Sequence, residues 1–560
     1  MTWEPELEEL RRREALARQM GGEERIARQH ASGRLTVRER IERLADPGTF
    51  HETGALAGRG TYDADGELEA FLPANMVMGQ ARLDGRRAVL EADDFTVRER
   101  SSGGARRGGE RSETEPTTPP SGQKMVYAER LAHDLRLPLV RLVDGTGGGG
   151  SVKSLETMGF SYVPFIPGFD IAVANLARVP VVAAALGPVA GLGAARVVAS
   201  HFSVIVKGTA QLFVAGPPVV AAAMGESPDK ETLGGARAQT RAGAVDNEAS
   251  DDEDALAQLK SFLSYLPANA WEPPPITAAT DPADRREEEL LAIVPRDRRK
   301  TYAMRRILEL VCDAESVFEV GKQSGRPLIT GLARLDGRPV GVLASDPKHY
   351  GGGLTAEASE KFARFVDLCD QFHLPVANFV DQPGFVIGTA AERAGTIRRG
   401  TRALFAVHHA TVPWVSVLVR KVYGVAGAGH GAGLNLRYAW PSGDWGSLPI
   451  AGGLEAAYRR ELEAAEDPVA LRAEIERRLS SVTSPFRTAE HFSVEEIIDP
   501  RDTRRLLCDW AQRAARAGRP RRARRAEVTA AASVVSARHV RSIPALGRGG
   551  DPHDRPPGAA

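Results

Sequence analysis

Hydrophobic positions in this chain fall in short, largely apolar runs more often than in alternation. Ala88–Ala92, Leu137–Val143, Val179–Leu186, Val340–Ala344, Leu374–Val380 and Val412–Val419 are rich in Val, Leu and Ala. Runs of this length, closed by Asp or Gly, predict strands of a sheet covered on both faces. Leu256, Leu259, Phe262, Leu263 and Leu266 instead recur at helical spacing, which predicts a packed helix over 251–266.

The runs repeat. Ala81-Arg-Leu-Asp-Gly-Arg86 recurs verbatim as Ala333-Arg-Leu-Asp-Gly-Arg338, an offset of 252. Asp-Gly between apolar stretches reads as a hairpin turn. Leu137-Pro-Leu-Val-Arg-Leu-Val-Asp144 echoes Leu374-Pro-Val-Ala-Asn-Phe-Val-Asp381 at 237, and Val179-Pro-Val-Val echoes Val412-Pro-Trp-Val at 233. Three echoes in order predict an α/β fold duplicated within the chain. The fall from 252 to 237 places 15 extra residues of the first half between Arg86 and Leu137. The polar, Arg/Gly/Ser/Pro-rich stretch Arg98–Lys124 predicts a structureless insertion there.

The predicted organisation is a first domain over 1–280, a second over 281–517, and a disordered Arg/Ala/Pro-rich tail over 518–560. Residues 1 to about 70 read as a helical lead-in, and Trp271–Arg286 as a linker. A length of 560 residues agrees with two domains of about 200–250 each. With 73 basic and 73 acidic residues, no net field draws the chain to nucleic acid. Cys312, Cys369 and Cys508 lie far apart in sequence, which excludes a disulfide framework and a Cys₄ zinc ribbon and fits a reduced, cytoplasmic setting. No apolar run of 18 residues predicts a membrane span.

Each half sends strands into glycine-rich loops: Asp144–Gly150, Gly187–Gly193, Asp381–Gly388 and Arg420–Gly427. Ligands of such sheets bind beyond the strand ends. Backbone N–H groups at a helix start can hold an oxyanion or phosphate. In the third echo Gly191 falls on Gly424, so each half offers an equivalent candidate. Gly147, Gly148 and Gly149 are a candidate anion cradle. His430, within Ala-Gly-His-Gly, is a candidate ligand contact, with a loop-stabilising hydrogen bond as the alternative. No Gly-x-Ser-x-Gly elbow, Walker loop or His-Glu-x-x-His motif is present.

The ordered set of motifs resembles the carboxyltransferase (β) subunits of biotin-dependent acyl-CoA carboxylases, such as those for propionyl-CoA and methylcrotonyl-CoA. The resemblance covers roughly 25–515. It runs from His30–Ile41 and Asp46-Pro-Gly-Thr-Phe50 through Asp94-Phe-Thr-Val97, Gly187-Pro-Val-Ala-Gly191 and Leu233-Gly-Gly-Ala236. It continues with Asp381-Gln-Pro-Gly-Phe385, Gly388-Thr-Ala390, Arg420-Lys-Val-Tyr-Gly424 and Tyr438-Ala-Trp-Pro441.

The resemblance implies two tandem crotonase-like domains and transfer of a carboxyl group from carboxybiotin to the α-carbon of an acyl-CoA. It implies that carboxybiotin releases CO₂ and that the biotin enolate takes the α-proton of the thioester. Two oxyanions then need donors. The backbone N–H groups of Gly191 and Leu192 are implied for the thioester, and those of Val425 and Ala426 for the biotin ureido oxygen. Gly384, Phe385, Gly424 and Ala428 are implied near the substrates. Ala428 stands where many short-chain members have Asp, so acyl specificity does not carry over. No biotinyl-lysine motif and no ATP loop is present. The resemblance therefore implies biotin on a separate carrier, a biotin carboxylase partner and a homo-oligomer, commonly a hexamer. The alternatives are a biotin-dependent decarboxylase subunit and a non-catalytic assembly subunit.

Overall fold

The structure is a computed structural model that describes residues 2–97, 120–145, 159–161, 163, 166, 168–279, 281–430 and 436–517. The expected insertion from 98 to 119 and the expected tail from 518 onward lie outside the described residues.

Three helices open the chain: Glu4–Arg18, Glu23–Ala31 and Val37–Leu44. The third starts with a capping box, in which the Thr36 side chain accepts from the Glu39 N–H and the Glu39 carboxylate accepts from the Thr36 N–H. The lead-in is not helical throughout. β1 (His51–Glu52) and the separate hairpin of β2 (Gly58–Tyr62) and β3 (Leu68–Pro73) follow. These strands are short and mostly solvent-facing, so no apolar period announced them.

The first sheet continues through β4 (Met76–Leu83), β5 (Arg86–Asp93), β6 (Leu139–Val143) and β7 (Val181–Ala185). β8 (Pro188–Ala190) leaves it. β9 (Phe202–Val206) returns, β10 (Gln211–Phe213) pairs with β8, and β11 (Asn247–Ala249) closes the edge. The second sheet runs β12 (Phe318–Val320), β13 (Leu328–Leu335), β14 (Arg338–Ser345), β15 (Val376–Gln382), β16 (Trp414–Tyr423), β17 (Leu436–Ala439) and β19 (Glu496–Ile497). β18 (Asp444–Gly446) pairs with the end of β16.

The duplication is written into the hydrogen-bond register. β4–β5 and β13–β14 are antiparallel hairpins with two-residue turns. Asp84 and Gly85 have φ of 49° and 79°, and Asp336 and Gly337 have 52° and 73°. Both turns therefore need the Asp-Gly pair that the sequence supplies twice. Val89 pairs with Leu139, and Gly341 with Val376. Leu139 pairs with Val181, and Val376 with Trp414. The offsets 252, 237 and 233 are thus the offsets of the paired strands.

One further echo was hidden in the sequence. The Asp46 carboxylate accepts from the N–H groups of Asp84 and Gly85 at 2.9 and 2.7 Å. Asp313 accepts from Asp336 and Gly337 at 3.0 and 2.7 Å.

Between the sheets lie the helices Asp252–Tyr265 and Ala356–Gln371, and one core is continuous across both halves. Leu256, Leu259, Phe262, Leu263 and Leu266 are all buried in it, as their spacing predicted. Phe262 stacks on Phe202 at 4.8 Å and meets Phe318 of the other half at 6.3 Å. The guanidinium of Arg364 also crosses to Asp246, at 2.5 and 3.1 Å. The outer faces are covered by Pro120–Leu135 on the first sheet and by Met304–Val311 and Thr503–Ala517 on the second.

Two boundaries differ from the sequence reading. The helix starting at Pro120 takes in the end of the expected structureless stretch, and Lys124 is buried with its ammonium donating to the Gly54 carbonyl at 3.1 Å. The expected linker packs: Trp271 carries Arg136 and Arg178 over its ring at 4.6 and 5.8 Å.

Candidate active site: paired turns at the strand ends

In each half the strand that leads to the site ends on a buried aspartate. Asp144, after β6, accepts from Arg40 Nη1 at 2.7 Å, Arg34 Nη1 at 3.1 Å and Gln29 Nε2 at 3.1 Å. Its equivalent Asp381, on β15, accepts from Arg420 Nε and Nη2 at 3.1 and 2.9 Å, the Tyr302 hydroxyl at 3.0 Å and the Lys421 N–H at 3.0 Å. Both carboxylates are fully buried. Each fixes where the following glycine loop begins. Gly187 is held against Asp144 so closely that a Cβ there would come within 2.0 Å of Oδ1.

The next loop forms the same turn twice. β8 pairs with β10 through Pro188–Gln211, Val189–Leu212 and Ala190–Phe213. The end of β16 pairs with β18 through Lys421–Asp444, Val422–Trp445 and Tyr423–Gly446. Every one of these positions is related by the same offset of 233. Gly191 then has φ 58° and Gly424 has φ 62°. A residue with a Cβ is strained there, which is why each half keeps glycine. Short helices follow directly, Leu192–Val198 and Gly424–Ala428.

The Gly191 N–H is already engaged, donating to the Phe213 carbonyl at 3.3 Å in continuation of the β8–β10 ladder. Leu192 and Gly193 stand in the first turn of their helix, where N–H groups have no intrahelical acceptor. The same holds for Val425 and Ala426. Under the 233 offset Leu192 falls on Val425 and Gly193 on Ala426. Leu192–Gly193 and Val425–Ala426 are therefore equivalent positions of the two turns. Extending the third echo by one residue in each half was the signal available in the sequence. Leu192 and Val425 carry exposed side chains, while Gly193 and Ala426 are buried.

Gly384 and Phe385 lie beside the second turn. Gly384 has φ 124° and its carbonyl accepts from the Leu354 N–H at 3.0 Å. A Cβ at Gly384 would sit 3.9 Å from the Tyr423 carbonyl, and the Phe385 ring packs where a Cβ at Gly400 would be. Ala428 is exposed at the end of the short helix. Gly147, Gly148 and Gly149 lie outside the described residues. No hydrogen bond joins the turn at Gly191 to the turn at Gly424 among the described residues.

A model of the carboxyl transferase domain family matches residues 28–527. The chain belongs to that family. The carboxyltransferase subunit of propionyl-CoA carboxylase from Haloferax mediterranei is 35% identical over 91% of this chain and 96% of its own length. The alpha subunit of methylmalonyl-CoA decarboxylase from Veillonella parvula is 31% identical over 90% and 94%. A crystal structure of transcarboxylase 12S with methylmalonyl-coenzyme A bound superimposes with a TM-score of 0.80 at 32% identity. It covers 93% of this chain and 97% of that one. The two halves are crotonase-like carboxyltransferase folds, as the resemblance implied.

Within this carboxyltransferase, His430 proves to be a core residue. It is 2% exposed. Its Nδ1 accepts from the Asn378 amide at 2.8 Å and its Nε2–H donates to Gln382 Oε1 at 2.6 Å. Its ring stacks on Phe362 at 5.7 Å. Burial pushes its pKa down to about 4, so the imidazole is neutral. Both nitrogens are spent inside the protein, which leaves the loop-stabilising role. Among the described residues no helix is long and apolar enough to cross a membrane.

Proposed function

We propose that the chain is the carboxyltransferase subunit of a biotin-dependent acyl-CoA carboxylase. The observation that carries this reading is the pair of equivalent turns, each opening a short helix whose first N–H groups have no intrahelical acceptor. On this reading the N–H groups of Leu192 and Gly193 face the thioester oxygen of the acyl-CoA. They stabilise the negative charge that develops there when the α-proton leaves. Biotin, on a separate carrier, supplies the carboxyl group. The N–H groups of Val425 and Ala426 fit its ureido oxygen: they lie on an exposed turn with no acidic side chain between Gly424 and Ala428. Preorganised donors of this kind are worth about 3–4 kcal/mol each. The chain itself needs no nucleophile, and the one histidine beside the second turn is neutral and engaged.

The relatives are subunits of larger enzymes, which supports partnership with a biotin carboxylase and a biotin carrier, and the free cysteines Cys312, Cys369 and Cys508 fit a reduced, cytoplasmic setting. Assembly with further copies of the chain, as a hexamer, has support from the hexamer named for transcarboxylase 12S. The helix Pro217–Met224 also buries none of its residues and exposes Val219 and Met224, a surface suited to another copy. The likeness to the decarboxylase subunit supports a second reading, the same half-reaction run in reverse.

Reconstitution with biotin carboxylase, biotin carrier and labelled bicarbonate, across acyl-CoA chain lengths, tests the proposal. The expected result is label in a carboxylated acyl-CoA. An assembled complex that carboxylates no acyl-CoA contradicts it, and one that only releases CO₂ from methylmalonyl-CoA selects the reverse reading.

A further inference from the structure

The helix that follows the first turn is held by a buried charged network with no counterpart at the second short helix among the described residues. Arg141, on β6, donates from Nη1 to the carbonyls of Arg196 and Ala199 at 3.1 and 2.7 Å. These carbonyls are at the C-terminal end of Leu192–Val198, where a cation complements the helix dipole. Glu129, on Pro120–Leu135, anchors Arg141 by accepting from Nε at 3.0 Å and from Nη2. Its other oxygen accepts from Asn175 at 2.8 Å. From the side, Arg196 reaches Glu91 at 2.8 Å and Asp93 at 3.4 Å, both on β5. Asp93 in turn accepts from the Asp144 N–H at 3.2 Å, where the site loop begins.

This arrangement is a poor stabiliser. Among the described residues the network buries Glu91, Asp93, Glu129, Arg141 and Arg196. Glu91 Oε2, Asn175 Oδ1 and Arg196 Nε have no hydrogen-bond partner. Burial raises the pKa of Glu91. Replacing buried ion pairs by neutral groups is often neutral or favourable for stability. The same protein contains the neutral alternative. Asn378 occupies the position of Arg141 in the second sheet, and Ser416 Oγ donates to the His430 carbonyl at 2.7 Å just beyond the second short helix.

We infer that Arg141 and Glu129 are positioning residues for the acyl-side donors, acting through the helix Leu192–Val198. This rests on the assignment of Leu192 and Gly193 as those donors. Seven residues of helix span only about 10 Å. A tilt at the clamped end therefore carries directly to the N–H groups, and a misplacement of about 1 Å can cost about 10²-fold in rate.

The test uses the complete complex with propionyl-CoA as acceptor. Three variants are compared: Glu129→Gln with Arg141→Gln, Arg141→Lys alone, and Leu192→Pro. Carboxybiotin breakdown without acyl-CoA serves as the second-half readout. The double variant is expected to lose about ten- to a hundred-fold in kcat, with KM for propionyl-CoA within about two-fold and carboxybiotin breakdown unchanged. Arg141→Lys keeps the charge and should regain part of the loss; it also carries the test if the double variant does not fold. Unchanged kcat, or kcat lost together with KM and carboxybiotin breakdown, overturns the inference. Full activity in Leu192→Pro removes the donor assignment and the inference with it. Loss in Leu192→Pro with full activity in the double variant removes the inference alone.

Discussion

Arg141 and Asn378 stand at the same place in the two sheets, yet one builds a charged clamp and the other a neutral one. Around Arg141 every partner is ionic or a backbone carbonyl. Around Asn378 the partners are a neutral imidazole and a hydroxyl, with Gln382 completing the set. The backbone they support is nonetheless the same, down to φ 58° at Gly191 and 62° at Gly424. Duplication has kept the turn that presents the donors and let the scaffold beneath diverge. The geometry of the donors is therefore the shared requirement, and the chemistry of the support is free to specialise.

The largest expected effect breaks the aspartate anchors that both halves share. Arg420→Met leaves buried Asp381 without its main cation, at a cost of about 3–5 kcal/mol, and Arg40→Met leaves both Asp144 and Asp252 without theirs, at a cost at least as large. Urea unfolding should show a large loss for each. A loss in only one of them would mean that the anchors are not equivalent.

The next effect separates the halves by pH. His430 has a pKa of about 4 in the folded protein, against about 6.5 when unfolded. Above pH 6.5 neither state is protonated and the full contribution is present. Between 6.5 and 4 only the unfolded chain takes up the proton, so stability falls with pH, by about 3 kcal/mol in all. His201, in the first half, is lowered to about 4 by burial as well. Over this range wild-type protein should therefore lose stability with a slope steeper than that of His430→Gln by about one proton. An unchanged slope in a denaturation series from pH 7 to 4 would show that His430 is not held neutral.

The smallest effect concerns the turns. Gly191→Ala meets no atom within 4 Å, so only the left-handed φ costs anything, about 1–2 kcal/mol. Gly424→Ala should match it within error, since its nearest neighbour is the Ser447 carbonyl at 3.4 Å. Thermal unfolding of the two variants checks this.

Much of the architecture was legible because it was written twice. The Asp-Gly turns and the three offsets reappear as strand register. The Asp46 and Asp313 anchors were not legible, because little besides the aspartate repeats around them. The short strands β1–β3 were missed because they are mostly exposed and show no clear period. The helix at Pro120 was missed because its first turn is polar, and the contact of Lys124 with the distant Gly54 leaves no mark in the sequence. At the site the glycine loops were legible, but the bond that engages the Gly191 N–H was not. Which N–H is free depends on the β8–β10 ladder, and that pairing leaves no mark in composition. Arg141 was visible as a charge inside an apolar strand, facing Asn378 in the echo. Only the fold shows that it grips the helix behind the donors.

The central claim is that Leu192–Gly193 and Val425–Ala426 are equivalent donor pairs serving different substrates. Proline at Leu192 or Val425 removes one N–H each, whereas alanine keeps it. Gly191→Pro would not test this, since φ of 58° excludes proline and the turn itself would be lost. The decisive measurement is the rate of carboxyl transfer to acyl-CoA beside the rate of carboxybiotin breakdown without acyl-CoA, in all four variants. Both proline variants should lose about 10²–10³ in transfer, with only Val425→Pro losing breakdown as well, and both alanine variants should stay active. Proline variants that transfer at the wild-type rate, or a Leu192→Pro that loses breakdown equally, would contradict the account.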